Sequence, residues 1–238
     1  MIRAHMATYP KRRELLERAV RSVAPQVDKL ILVLNEYTEV PPEISMIGNV
    51  EPVIPTEDLK DVGKFLPEPK DDDLVCFVDD DLIYPADYVA KLVEAAESIG
   101  LDDAVFGYHG SIYKDVEADG ANGRKVHSFN RDLSTTTCVD QLATCGMLAI
   151  GRNVAPFAFM QGSQKFVDVR YARWLFKNGI ASWCLSHPKD IFKEMRVSSG
   201  VHETIYRGFT RNSPDYVISE IRDFAGKGHK VGQKMGSL

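Results

Sequence analysis

Leu74-Val75-Cys76-Phe77-Val78-Asp79-Asp80-Asp81 is the stretch that decides how this chain is read. Five apolar residues in a row, with no polar alternation, fit a strand buried on both faces, as in a parallel sheet. The three aspartates that follow repel one another, and the cost grows as water is withdrawn. Two readings account for them. A divalent cation such as Mg²⁺ or Mn²⁺, which takes oxygen ligands, relieves the repulsion. Alternatively, the triplet is a solvated acidic turn capping the helix after Pro85. Continued strand alternation aims Asp79 and Asp81 to one side and Asp80 to the other.

The same pattern recurs outward from this stretch. Ile2 to Ala7 reads as a short strand, and Tyr9-Pro10-Lys11 as a turn with proline near a helix start. Leu15, Leu16, Ala19, Val20 and Val23 recur at helical spacing between Arg12 and Val23. Leu30 to Leu34 is a second continuous apolar run, and Val50 to Ile54 a third strand closed by prolines. After the triplet, Ala86 to Ile99 reads as a helix and Ala104 to Tyr108 as a strand. This order argues for an α/β protein with a mostly parallel central sheet covered by helices. Ligands bind beyond the carboxyl ends of such strands. The second half is less regular. Gly110 to Ser128, rich in Gly, Asp and Asn, reads as a hairpin or mobile loop. Val139 to Ile150 holds a strand, and Gln164 to Asn178 is a helix closed by Gly179. From Gly226 a glycine- and lysine-rich flexible basic tail is expected through residue 238.

Composition narrows the function classes. With 238 residues the chain can bury a sizeable core. A net charge of −5 gives no general attraction to nucleic acid or anionic membranes, although it leaves room for a local basic patch. Cys76, Cys138, Cys145 and Cys184 show no C-x-x-C spacing, which argues against a zinc knuckle or a thioredoxin-type site. Cys76 reads as a buried free thiol. There is no signal-peptide pattern at Met1 to Met6 and no apolar run near the ~20 residues of a membrane span, so a reducing cytoplasm is expected.

Six segments, in order, resemble A-type-fold glycosyltransferases, and more narrowly the inverting bacterial family 2 kind. Cys76 to Pro85 resembles their aspartate-any-aspartate motif. Ala7 to Arg12, with Leu15 and Ser22 to Gln26, resembles their opening strand, loop and helix. Leu30 to Asn35 matches their second strand, and Asp58 to Pro67 their Asp-x-Gly…Lys loop. Val139 to Leu142 with Gly146 to Ala149 resembles their acceptor-side strand. Phe166 to Ala172 resembles their late acidic motif at a helix start. The resemblance covers about residues 3 to 210.

It implies a single-domain A-type glycosyltransferase fold over 1–225, with a nucleotide-binding half to about 108 and an acceptor-side half beyond. The implied partners are a nucleotide-sugar donor, most often uridine diphosphate-linked, and a glycan or other hydroxyl-bearing acceptor. Nucleic acid is not expected except as such an acceptor. Thr8, Tyr9 and Arg12 would line the nucleotide pocket, Asn35 and Glu36 would lie near base or ribose, and Asp61 near the base. Lys64 would approach diphosphate or ribose. Asp79 would touch the ribose or help hold Mn²⁺ or Mg²⁺, Asp81 would be the direct ligand, and Asp80 a helper. His202 is the best late-histidine ligand, ahead of His187 and His229. Asp168 would be the general base, with a helix N-cap as the other reading. Relatives often carry two acids there, where this chain has Val167-Asp168. His109 would line the acceptor pocket. Arg170 and Arg173 would contact an anionic acceptor or simply line a helix face, and Trp174 and Trp183 read as core. Two competing classes are a nucleotidyltransferase, which would need glycines near Thr8 to Arg13, and a calcium-type binding module, whose spacing is absent.

Overall fold

The structure, a computed structural model, describes residues 1–114, 116, 120–197, 213–228 and 230–235. The apolar runs build one flank of a sheet. β1 (Ile2–Thr8), β2 (Lys29–Leu34), β3 (Val50–Val53) and β4 (Leu74–Val78) run parallel in the order β3-β2-β1-β4. Successive residues serve opposite faces: Cys76 and Val78 join one core, Val75 and Phe77 the other. Both faces of β2 and β4 are dry, which is why these two strands show no polar alternation, whereas β1 carries Arg3 and a buried His5 and β3 exposes Glu51 and Pro52.

α1 (Arg13–Val23) covers the first face through Leu15, Leu16, Ala19, Val20 and Val23. After the one-turn α2 (Pro42–Ser45) and the two-residue β5 (Leu82–Ile83), α3 (Tyr88–Ile99) adds Tyr88, Val89, Leu92 and Ala96 to the same core. The remaining strands are β6 (Ala104–Gly107), β7 (Gly110–Tyr113), β8 (Arg124–His127), β9 (Thr137–Val139), β10 (Gln141–Leu142), β11 (Gly146–Ile150), β12 (Ala181–Cys184) and β13 (Lys193–Glu194). The large sheet continues β4-β11-β6-β12-β9, and β10-β7-β8 form a smaller one. β11 is antiparallel to both β4 and β6, whereas β6 and β12 are parallel. Because β11 runs backwards, its first residue, Gly146, pairs with Val78, the last of β4. The loop before β11 therefore meets the acidic triplet. α4 (Phe157–Met160), α5 (Val167–Lys177) and α6 (Asp215–Phe224) complete the fold. α6 packs Val217, Ile221 and Phe224 against Phe166, Val169 and Ala172.

Several expectations are refined. The Gly110 to Ser128 segment contains the β7–β8 hairpin. Val139 to Ile150 splits into the end of β9, then β10 and β11. The helix expected from Gln164 begins only at Val167, because Lys165 has φ +74°, outside the helical region. Gly179, at φ +72°, ends it as expected. β12, β13 and α6 went unread. The described part of the tail is paired rather than flexible. The Gly232 and Met235 amides donate to the Cys138 and Thr136 carbonyls, and the Cys138 amide donates to Gln233. β9 is a sheet edge, and the tail satisfies its open hydrogen-bonding groups. All four cysteines are free, and Cys76 is buried. Among the described residues no helix is long and apolar enough to cross a membrane.

Gly63 seats the 3₁₀ segment Lys60–Phe65 on the sheet, since a Cβ there would lie 2.9 Å from Val33 Cγ1. Gly63→Val should cost about 1–3 kcal/mol in urea unfolding through overpacking. Gly48→Ala, where a methyl meets nothing within 4 Å, should change stability by no more than about 0.5 kcal/mol.

Candidate functional site

A cleft of about 1260 Å³ opens at the carboxyl edge of β4, with Asp61, Lys64, Asp79, Asp81, Thr144 and Asp168 in its lining. β4 delivers the triplet. Asp80 turns inward and is buried, while Asp79 and Asp81 face the cleft with side chains 34% and 21% exposed. The alternation read from sequence thus carries past the strand end, and the triplet is no solvated cap: Asp87 precedes α3.

Two cations meet the three aspartates. Arg12, delivered by the Pro10–Arg12 turn, places one nitrogen, Nη1, 2.7 Å from Asp80 Oδ1 and 2.6 Å from Asp81 Oδ2. Its guanidinium also lies 5.8 Å from the Tyr9 ring centre. Lys64 is buried, and its ammonium donates to Asp79 Oδ1 and, at 2.9 Å, to the Thr144 carbonyl. Burial pushes this ammonium down, but Asp79 and then Asp168 more than offset it, so its pKa is raised. The balance remains negative: burial and the neighbouring Asp79 lift the Asp81 carboxyl to about 7 against the pull of Arg12.

Asp168 is in the first turn of α5, where the helix N-terminus favours an acid. Phe166 is the cap residue, and no side chain caps the helix, which removes the N-cap reading of Asp168. Its Oδ1 instead accepts from the Thr144 amide and hydroxyl, both at 2.9 Å. Burial raises its pKa, Thr144 and Lys64 oppose that, and Asp79 adds to it. Asp61 Oδ1 accepts from the Lys165 amide at 2.8 Å, which ties the Lys60–Phe65 segment to the start of α5. Burial lifts its carboxyl to about 6.

Other candidates fall further from the chemistry. Asn35 is buried, and its carboxamide holds the loop, donating to the Lys60 carbonyl and accepting from the Leu59 amide at 3.0 Å each. Glu36 is exposed, with φ +59°. Thr8 is buried at the end of β1. His109 lines the cleft. Arg170 and Arg173 pair with Glu220 and Asp223 of α6, so they brace two helices rather than face an acceptor. Trp183 is buried and Trp174 packs on the second core. His202 and His229 lie outside the described residues. His187 is buried beside Tyr108, with Nδ1 3.0 Å from the Pro188 carbonyl.

Sequence reading missed two connectors. Thr144 joins Lys64 to Asp168, and nothing in its neighbourhood marks it. Tyr84 accepts from the Asp79 amide at 2.8 Å and donates to the Cys145 carbonyl at 2.5 Å. A tyrosine six residues past the end of a buried strand was the available signal, since a buried phenol needs a partner.

No family model matches this sequence, and no curated protein matches it. Among solved structures, it resembles the crystal structure of S. aureus TarS with a TM-score of 0.51 at 12% identity, over 83% of this chain and 37% of that one. The chain thus spans little more than a third of that structure's length. The likeness is one of fold: a large, mostly parallel sheet flanked by helices, consistent with the A-type glycosyltransferase architecture.

Lys64→Met should lower stability by about 2–3 kcal/mol, less than for a fully buried pair because Asp79 keeps some water. Adding Asp79→Asn should recover part of that loss in a double-mutant cycle. Asp61 titrates near 6 in the folded chain against an ordinary 3.8, so the folded state holds its proton more tightly. Stability from this group therefore falls as pH rises between those values. Asp61→Asn should gain on the parent chain from pH 4 to pH 7, by on the order of 2 kcal/mol, in urea unfolding at each pH.

Proposed function

We propose that this protein transfers a sugar from a nucleoside-diphosphate donor, with uridine the leading base, to an acceptor hydroxyl with inversion. The observation that carries this reading is the single cleft floor on which Asp79 and Asp81 sit beside a separately held acid, Asp168. Its fold, shared with the glycosyltransferase TarS, supports the reaction class.

The donor set suits an oxygen-liganded dication, Mn²⁺ or Mg²⁺. Among the described residues no three His, Cys, Asp or Glu side chains converge on one point. Such ions, however, often take one or two carboxylates and complete their shell with phosphate oxygens and water. Asp81 would be the main ligand and Asp79 the second, and the raised Asp81 carboxyl marks the excess charge a cation would offset. When bound, the ion would stabilise negative charge on the departing diphosphate.

The chain's own residues do the rest. Arg12 and Lys64 hold the acids in place. Thr144 binds Oδ1 of Asp168, which leaves Oδ2 to take the acceptor proton. A carboxylate whose pKa is raised by burial is a better base near neutral pH.

Purified protein incubated with nucleotide sugars and Mn²⁺ should release nucleoside diphosphate, by transfer or by donor hydrolysis. Asp81→Ala should abolish release while leaving the urea midpoint nearly unchanged. Asp168→Asn should keep donor affinity and lose transfer, on the order of 10²-fold or more. Pyrophosphate release from a nucleoside triphosphate would instead identify a nucleotidyltransferase.

A further inference from the structure

The cleft has a second wall of opposite charge. Arg124 and Lys125 of β8, Arg131 beyond it and Arg196 after β13 all line it. Lys125, Arg131 and Arg196 are exposed, and among the described residues none of the four is ion-paired. Arg124 rests on Tyr113, 6.0 Å from the ring centre, with Nη1 3.4 Å from the hydroxyl. Glu194 shares this wall without pairing to any of them.

Arg13, Arg21, Arg152, Arg170 and Arg173, by contrast, each hold a carboxylate. With 34 acids against 29 Lys and Arg, the chain does not lack partners. Four cations on one cleft wall with no carboxylate partner among the described residues, in a chain of net charge −5, form a local positive surface facing the acidic floor. His109, also in the lining, has its pKa lowered to about 4, chiefly by burial and then by Arg124.

We infer that the acceptor is an anionic oligomer, carrying phosphate or carboxylate groups, seated along Arg124, Lys125, Arg131 and Arg196. This rests on the glycosyl-transfer reading of the same cleft. The donor's phosphates are assigned to the floor, where Arg12 and Lys64 already serve the aspartates. Arg124 and Lys125 come from the smaller β10-β7-β8 sheet, and Arg131 and Arg196 from the segments after β8 and β13, so none of the four belongs to the strands that carry the acidic floor. Charge-assisted contacts to such groups are the strong ones, and arginine suits both anions.

Calorimetric binding to the full chain tests this with three probes: a linear inorganic polyphosphate, a polygalacturonate hexamer and neutral maltohexaose. At least one anionic probe should bind at least about tenfold tighter than maltohexaose and weaken as salt rises from about 50 to about 300 mM. Which one binds separates phosphate from carboxylate. The exposed triple variant Lys125→Gln, Arg131→Gln, Arg196→Gln should weaken that probe by about tenfold or more and leave affinity for uridine diphosphate with Mn²⁺ within about twofold. Its unchanged thermal midpoint would show that it folds. Equal binding of the neutral probe, or anion binding untouched by the variant, would overturn the inference. A parallel loss of uridine diphosphate affinity would also overturn it, by moving these cations to the donor. Donor hydrolysis, read separately on the parent chain, reports on the glycosyl-transfer reading itself.

Discussion

The buried ammonium of Lys64 is the contact around which this site is organised. A lysine without water is costly unless its charge is matched and its protons are placed. Here it donates to Asp79 and to the Thr144 carbonyl, with Asp168 close enough to raise its pKa further. Thr144 in turn holds Asp168 with its amide and hydroxyl. One cation therefore ties the end of β4, the loop before β11 and the first turn of α5 into a single unit. Those three segments come from distant parts of the chain, and their packing alone would not set the angle between their carboxylates.

The sheet makes that contact possible. β11 runs antiparallel between β4 and β6, so its beginning abuts the end of β4. Had it run parallel, Thr144 would lie at the opposite edge, away from every acid of the triplet. Gly63 completes the approach from the other side, since only a residue without Cβ lets Lys60–Phe65 lie this close to Val33. Asp61 then ties that segment to the start of α5 through the Lys165 amide.

The cleft so formed is electrically divided. Its floor holds more carboxylates than Arg12 and Lys64 neutralise, and its far wall holds cations with no carboxylate partner among the described residues. A floor of that kind favours a cation. A wall of that kind favours an anion. Under the proposed sugar transfer, this division would give donor and acceptor different ends of one cavity.

Much of this was legible in the residues. The unbroken apolar runs of β2 and β4 fitted strands dry on both faces, and α1 announced itself through Leu15, Leu16, Ala19, Val20 and Val23. Three adjacent aspartates after β4 marked the site, because adjacent charge at a buried edge needs an explanation, and strand alternation separated Asp80 from its neighbours. Tertiary structure alone decided the partners. Arg12, expected at the nucleotide pocket, bridges Asp80 and Asp81, a pairing no local pattern announced. Asp168 could have capped α5, but it turns to Thr144. Arg170 and Arg173 could have faced a ligand, but they brace α6. Side-chain charges are written in the sequence. Which opposite charge each one meets depends on strand direction and loop path, set by long-range pairings that no local pattern encodes.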